Sequence, residues 1–160
     1  MVAIRRMDRR DLGEVADIWN AVIRDTSVTF TTEEKREDAL AAWLAEDGPR
    51  LVAAEGPGAV LGFAAASPFR SGPGYRFTWE HSVHVAPPGR GRGLGRALMD
   101  ALAAELRARG GRAMIAGISG ENPRAEAFHR RLGFGEVGRI PEAGFKFGRW
   151  MDLVLMRRAL

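Results

Sequence analysis

At 160 residues, with 46% hydrophobic and 28% charged positions, the chain is the size of one ordinary domain that can bury a core unaided, which excludes a disordered polymer. The absence of cysteine excludes disulfide frameworks, thiolate zinc sites and cysteine nucleophiles, and no metal centre is expected. The net charge of +4 comes almost wholly from arginine, since Lys35 and Lys146 are the two lysines, and it favours an anionic partner: nucleic acid or a phosphorylated small molecule.

Met1 to Arg10 is charged, and no apolar run approaches the roughly 20 residues that cross a bilayer, so no membrane association and a cytoplasmic location are expected. Ala3 to Arg6 reads as a short strand. Asp8 is a good N-cap, and Leu12, Val15, Ile18, Trp19, Val22 and Ile23 recur at helical spacing over Arg9 to Arg24. Thr31 with Glu34 resembles a capping box before a second helix that carries Ala39, Leu40, Trp43 and Leu44 and stops near Gly48 and Pro49. Arg50 to Glu55 and Val60 to Ala66, separated by Gly56, Pro57 and Gly58, form a hairpin, and Ser67 to Gly74 is a loop.

Tyr75 to Val85 reads as a long strand with Tyr75, Phe77, Trp79, His81, Val83 and Val85 on an apolar side and Arg76, Thr78, Glu80, Ser82 and His84 on a polar one. After Pro87 and Pro88, the stripe Leu94, Leu98, Ala101, Leu102 and Leu106 predicts a helix ending at Gly110 and Gly111. Ala113 to Ile118 is a buried-type strand. Asn122 before Pro123 starts a last helix that Gly133 stops, and Gly135 to Ile140 and Trp150 to Met156 are strand-like. With no repeat and no linker, the order predicts one mixed-sheet α/β domain.

Between the long strand and the next helix stands Pro88-Gly89-Arg90-Gly91-Arg92-Gly93-Leu94-Gly95-Arg96. Glycines let backbone approach a ligand, and amides at a helix start converge where the dipole favours an anion. Arg90, Arg92 and Arg96 occupy a helix start where acidic residues are normally preferred, a conflict that a bound pyrophosphate resolves. No Gly-Lys-Ser or Gly-Lys-Thr is present, and Gly91, Gly93 and Gly95 are spaced by twos, so neither a Walker loop nor a dinucleotide fingerprint is formed. On the long strand, Glu80 is the one acid, on the same face as Arg76 and His84, with which it could pair.

Arg90, Gly93 and Gly95 fit the Arg/Gln-x-x-Gly-x-Gly/Ala signature of the GCN5-related N-acetyltransferase (GNAT) superfamily, which the chain resembles. Thr78-Trp79-Glu80-His81-Ser82-Val83-His84-Val85, Leu132-Gly133-Phe134 and Lys146-Phe147-Gly148-Arg149-Trp150-Met151-Asp152 are similar to its phosphinothricin and methionine-sulfoximine acetyltransferase branch, over about half of the chain. Trp19-Asn20 and Thr29-Phe30 agree more loosely. The resemblance implies a mostly antiparallel mixed sheet, acetyl-CoA as co-substrate, a small amine substrate and a homodimer.

It further implies that Arg90, Gly91, Arg92, Gly93, Leu94, Gly95 and Arg96 grip the pyrophosphate. The backbone of Val83, His84 and Val85 would run beside the acetyl and pantetheine groups like an added strand, and Asn122, first of all an N-cap, would also touch the cofactor. Glu80 would act as general base with His81 and Ser82 beside the substrate. Arg70, with Ser71 and Gly72, would meet a substrate carboxylate. His129 replaces the tyrosine by which many members protonate the departing thiolate, which an imidazole can also do. His84 stands where the branch often has tyrosine.

Three rival readings remain at this stage. A nucleic-acid module needs exposed aromatics beside a basic groove, whereas the aromatics lie mostly on predicted core faces, so no nucleic acid is expected. A GNAT enzyme modifying a protein N-terminus or lysine needs an open groove, whereas a lid from the Arg24 to Glu34 and Phe145 to Trp150 segments suits a small molecule. A non-catalytic acetyl-CoA sensor would bind the cofactor without turnover.

Overall fold

The computed structural model describes residues 1–160. In chain order the elements are β1 (Ala3–Arg6), α1 (Leu12–Asp25), α2 (Glu37–Leu44), β2 (Arg50–Ala54), β3 (Val60–Pro68), β4 (Thr78–Val85), α3 (Leu94–Ala108), β5 (Ala113–Ser119), α4 (Pro123–Arg131), β6 (Gly135–Lys146) and β7 (Arg149–Ala159). They build one seven-stranded sheet in the order β1-β2-β3-β4-β5-β7-β6. Every neighbouring pair is antiparallel except β4 and β5, which run parallel.

That parallel pair is short. Thr78, Trp79 and Glu80 pair with Ala113, Met114 and Ile115, and beyond them the strands run on without pairing to each other. A sheet that parts along its middle leaves strand edges that something else must satisfy.

Helix α3 covers one face of the sheet. Leu94, Leu98, Leu102 and Leu106, with Met99 and Ala103, are all buried, and they pack with Trp79, Met114 and Val154 in one cluster. Burying each such leucine contributes about 1.5–3 kcal/mol, which seats this face of the helix on the sheet and leaves its two arginines, Arg96 and Arg107, on the open side. On the other face, Leu12 and Val15 of α1 and Leu40 of α2 pack on Val52, Val60 and Phe63, with Trp19 and Trp43 alongside. Asp8 is a cap as expected, and it forms a reciprocal pair with Asp11 around the 3₁₀ turn that leads into α1: Asp8 accepts from the Arg10 amide at 2.8 Å and Asp11 from the Asp8 amide at 2.8 Å.

Four expectations need correction. The capping box at Thr31 and Glu34 does not form: Thr31 Oγ1 accepts from the Glu33 amide in a local turn, and α2 starts only at Glu37. The long strand does not begin at Tyr75, because Pro73, with its fixed φ, opens a short 3₁₀ turn over Pro73–Tyr75 and β4 starts at Thr78. The loop expected from Ser67 is entered later, since β3 continues to Pro68 against Trp79. The last two strands are longer than the apolar runs that signalled them, and solvent-exposed residues such as Glu136 and Arg157 extend the hairpin.

Candidate active site

Where β4 and β5 part, a cleft of about 450 Å³ opens between His81–Val85 on one wall and Ala116–Ile118 with the start of α4 on the other. Arg90 and Gly95 lie at one end, and Val28 and Thr29 cross its rim. The cleft therefore follows from a topological fact, the short pairing of the parallel strands, and not from any single side chain.

At the Gly95 end, the backbone amides from Gly91 through Arg96 make no hydrogen bond to any backbone acceptor, while Ala97 is the first to close a helical turn, onto Gly93. Gly91 and Gly93 adopt φ of +73° and +76°, the left-handed region that glycine enters without strain and that lets the chain turn tightly into α3. Gly95 is required for another reason: a Cβ there would stand 3.3 Å from the Phe128 ring. Six free amides at the positive end of a 15-residue helix, beside Arg90, fit a diphosphate. Arg90 donates to the Val85 carbonyl, Arg92 pairs with Glu55, and Arg96 donates to the Arg131 carbonyl at 3.2 Å, so of the three Arg90 alone lines the cleft.

On the α1 side of the sheet lies a second cavity of about 280 Å³, lined by Trp19, Trp43, Glu80, Ser82 and Gly117 among others. It shares His81, Ser82 and Gly117 with the cleft, so the two meet through the gap in the sheet. Glu80 sits at that junction: its Oε1 lies 3.2 Å from where a Cβ on Gly117 would be. Its carboxylate has no ion pair, not with Arg76, which donates to Pro73, nor with His84. Burial pushes the Glu80 carboxyl above its usual range, partly opposed by the positive charge of Arg70.

His129 on α4 is buried. Its Nδ1 lies 2.7 Å from the Ala125 carbonyl and its Nε2 lies 3.0 Å from Nε2 of His81. Burial lowers the proton affinity of His129, and burial together with the neighbouring His129 drops His81 to about 3. The His84 ring points to the opposite face, against Phe63 at 5.3 Å and Trp19 at 6.2 Å, where burial brings it to about 4.

A strap closes the rim. Lys146, 2% exposed, donates to the carbonyls of Thr26 at 2.7 Å and Thr29 at 2.9 Å. The Phe30 ring lies flat over Gly144, leaving no room for a Cβ there. Arg149 holds Glu121 at 2.7 and 2.8 Å, and Glu121 accepts from Ser27.

A family model described as the Acetyltransferase (GNAT) family matches residues 15–134. The chain belongs to the GNAT acetyltransferase family. Among relatives, an L-methionine sulfoximine/L-methionine sulfone acetyltransferase of Salmonella typhimurium is 35% identical over 99% of this chain and 95% of its own. A phosphinothricin N-acetyltransferase of Streptomyces coelicolor is 37% identical over 99% and 96%. An acetyltransferase of Salmonella typhimurium, solved with its cofactor acetyl-CoA, superposes with a TM-score of 0.94 at 36% identity over 100% of this chain and 94% of that one.

In this GNAT chain the fold brings together most of the residues singled out in the sequence. Val83, His84, Val85, Arg90, Gly95, Asn122 and His129 line one cleft, and Glu80, His81 and Ser82 line the adjoining cavity. Asn122 Oδ1 caps α4 through the Ala125 amide at 3.1 Å, and its Nδ2 stays unpartnered. Arg70, Ser71 and Gly72 line neither cavity: they lie on an exposed loop, where the Arg70 guanidinium stacks on Phe69 at 4.4 Å and donates to its carbonyl while its charge still acts on Glu80. Sequence reasoning missed Lys146 and Gly144 as strap anchors, and Trp19 and Trp43 as cavity walls. Nothing in their spacing marks them, because each acts across more than 20 residues of chain.

Proposed function

We propose that this GNAT protein transfers the acetyl group of acetyl-CoA to the α-amino group of a small amino-acid-like substrate of the methionine sulfoximine, methionine sulfone or phosphinothricin type. One observation carries the reading: two cavities reach the same gap in the sheet from opposite sides, with an unpaired carboxylate, Glu80, at their junction. The names of the full-length relatives at 35–37% identity agree with it.

Bound acetyl-CoA would supply a thioester whose acyl carbon accepts the amine and whose sulfur leaves. The residues that fit it are the free amides of Gly91–Arg96 with Arg90 for the diphosphate, and the unpaired β4 edge at Val83–Val85 for the pantetheine arm, which adds to the sheet as a strand would. Asn122 Nδ2 offers a further donor on the facing wall.

On the other side, Trp19 and Trp43, 5.3 Å apart and edge to face, wall a cavity suited to a compact side chain rather than to a polypeptide. Glu80 takes the ammonium proton; its raised proton affinity brings it closer to the amine's own, which favours the transfer. His129, the imidazole that lines the cleft from α4, is the residue assigned to thiolate protonation. The proposal includes action in the cytoplasm and a homodimer. The latter is supported by Ile140, Phe145, Phe147 and Trp150, large apolar residues exposed together on the β6–β7 hairpin.

Thiol release, followed with acetyl-CoA and each of the three amines, tests the activity. Turnover that needs both partners is expected. No release with any of them, in a protein that takes up acetyl-CoA by calorimetry, overturns the substrate class and leaves the cofactor site standing.

A further inference from the structure

Two imidazoles meet nitrogen to nitrogen inside the cleft wall, and their proton positions are decided by a carbonyl. The Ala125 oxygen can only accept, so at 2.7 Å the His129 Nδ1 must carry its proton. The remaining ring nitrogen of a neutral His129, Nε2, is then a bare acceptor. It lies 3.0 Å from His81 Nε2, so that proton belongs to His81, whose buried Nδ1 has the Ile115 backbone as a neighbour but closes no hydrogen bond onto it. The chain of donors runs one way, from His81 to His129 to Ala125.

The surroundings keep the pair neutral. Phe128 and Phe134 meet His129 edge to face at 5.2 and 5.1 Å, and Phe134 lies 5.4 Å from His81. On α4, Glu126 is engaged by Arg130 and Arg139; Arg124 lines the cleft; α3 offers Arg96, held by the Arg131 carbonyl. Strand β5 has no ionisable side chain, Glu80 and His84 stand on the opposite face of β4, and the strap presents Val28 and Thr29. No carboxylate pairs with either ring.

We infer that His81 is a positioning residue for the transfer reaction: its Nε2–H fixes the His129 ring and makes His129 Nε2 an acceptor in the resting protein, so that His129 acts as an acid only after Nε2 takes up a further proton and the His81 hydrogen bond is displaced. A donor that already occupies Nε2 competes with that proton, and a protonated His129 is correspondingly the stronger acid toward a thiolate. The inference rests on the assignment of His129 to the sulfur side of the reaction.

The test separates the two. In the full-length protein without cofactor, ¹⁵N spectra of the imidazoles should show His129 protonated at Nδ1 and bare at Nε2. His81→Phe, which keeps a ring against Phe134 and removes the donor, should raise the pH at which His129 titrates by about one unit. It should move the alkaline limb of kcat upward by the same amount, with KM for acetyl-CoA unchanged. His81→Gln, which can still donate, should keep the parental pH profile. A parental titration of His129 in His81→Phe overturns the positioning role. If His129→Phe keeps full kcat while the spectra are as expected, the hydrogen-bond direction stands and thiolate protonation by His129 is what fails.

Discussion

Lys146 on β6 reaches 117 residues back along the chain to donate to the Thr29 carbonyl at 2.9 Å, and with the same ammonium it holds Thr26 at 2.7 Å. Burial lowers its proton affinity, and no carboxylate faces it, so its charge is spent on two backbone oxygens of the strap. Lys146→Met keeps the stem and leaves both carbonyls without a donor, at about 1–3 kcal/mol. A lower urea midpoint is expected, with faster amide exchange confined to residues 26–30 and a higher KM for the amine. Exchange that accelerates evenly over the whole sheet is the result incompatible with a strap-specific role.

Glu80 carries the largest predicted effect on turnover. Glu80→Gln preserves shape and removes the base, and kcat should fall between about 10² and 10⁴-fold while acetyl-CoA affinity is retained. Stability should move the other way. Burial raises the folded-state pKa of Glu80 above its unfolded value, about 4.3, so the ionised carboxylate favours the unfolded chain. That penalty is absent below the unfolded value and complete once pH exceeds the folded one. Glu80→Gln should therefore melt higher than the parent at pH 7 and level with it at pH 3. Thermal melts at the two pH values decide, and a variant less stable at pH 7 refutes the desolvation argument.

The sequence revealed what local chemistry controls. The leucine stripe of α3, the Asp8 cap, the Asn122-Pro123 start of α4 and the glycine-arginine run each act within a few residues, and the structure places them as read. The single polar face assigned to the long strand was too simple. Both faces of β4 are covered, by α3 and α4 on one side and by α1 with Trp19 on the other, so His84 is packed rather than solvated. Likewise, alternation alone places His81 with Trp79 and Val83. Its partnership with His129, 48 residues on, is a tertiary fact no periodicity encodes. Arg70 illustrates the converse: a residue type suited to a carboxylate, on a loop whose path the sequence does not fix.

The glycines of the anion loop should separate into two kinds. Gly93→Ala forces a non-glycine residue to φ of +76°, at roughly 1–2 kcal/mol, and misaims the amides without touching a neighbour. Gly95→Ala presses a methyl on Phe128 at 3.3 Å, displacing the helix start from α4. Both should weaken acetyl-CoA by at least tenfold, which calorimetry measures. Gly135→Ala, where a Cβ meets nothing within 4 Å, should leave affinity within twofold. Equal affinities in all three variants would remove the loop from cofactor binding.

Gly144 and Phe30 provide the sharpest test of the strap, because the contact is steric and can be reversed. A methyl at residue 144 cannot coexist with the Phe30 ring where it lies, so Gly144→Ala must lift Phe30 from β6, at about 1–3 kcal/mol. Phe30→Ala alone forfeits the ring's packing but relieves nothing. Combining the two should cost less than the sum of the single changes, since the cavity left by the ring receives the new methyl, and the coupling should reach at least 0.5 kcal/mol. Denaturant unfolding of the four proteins yields that coupling directly. Additive losses would mean that Phe30 does not rest on Gly144 in solution, and the closure of the rim over Val28 and Thr29 would lose its mechanical basis.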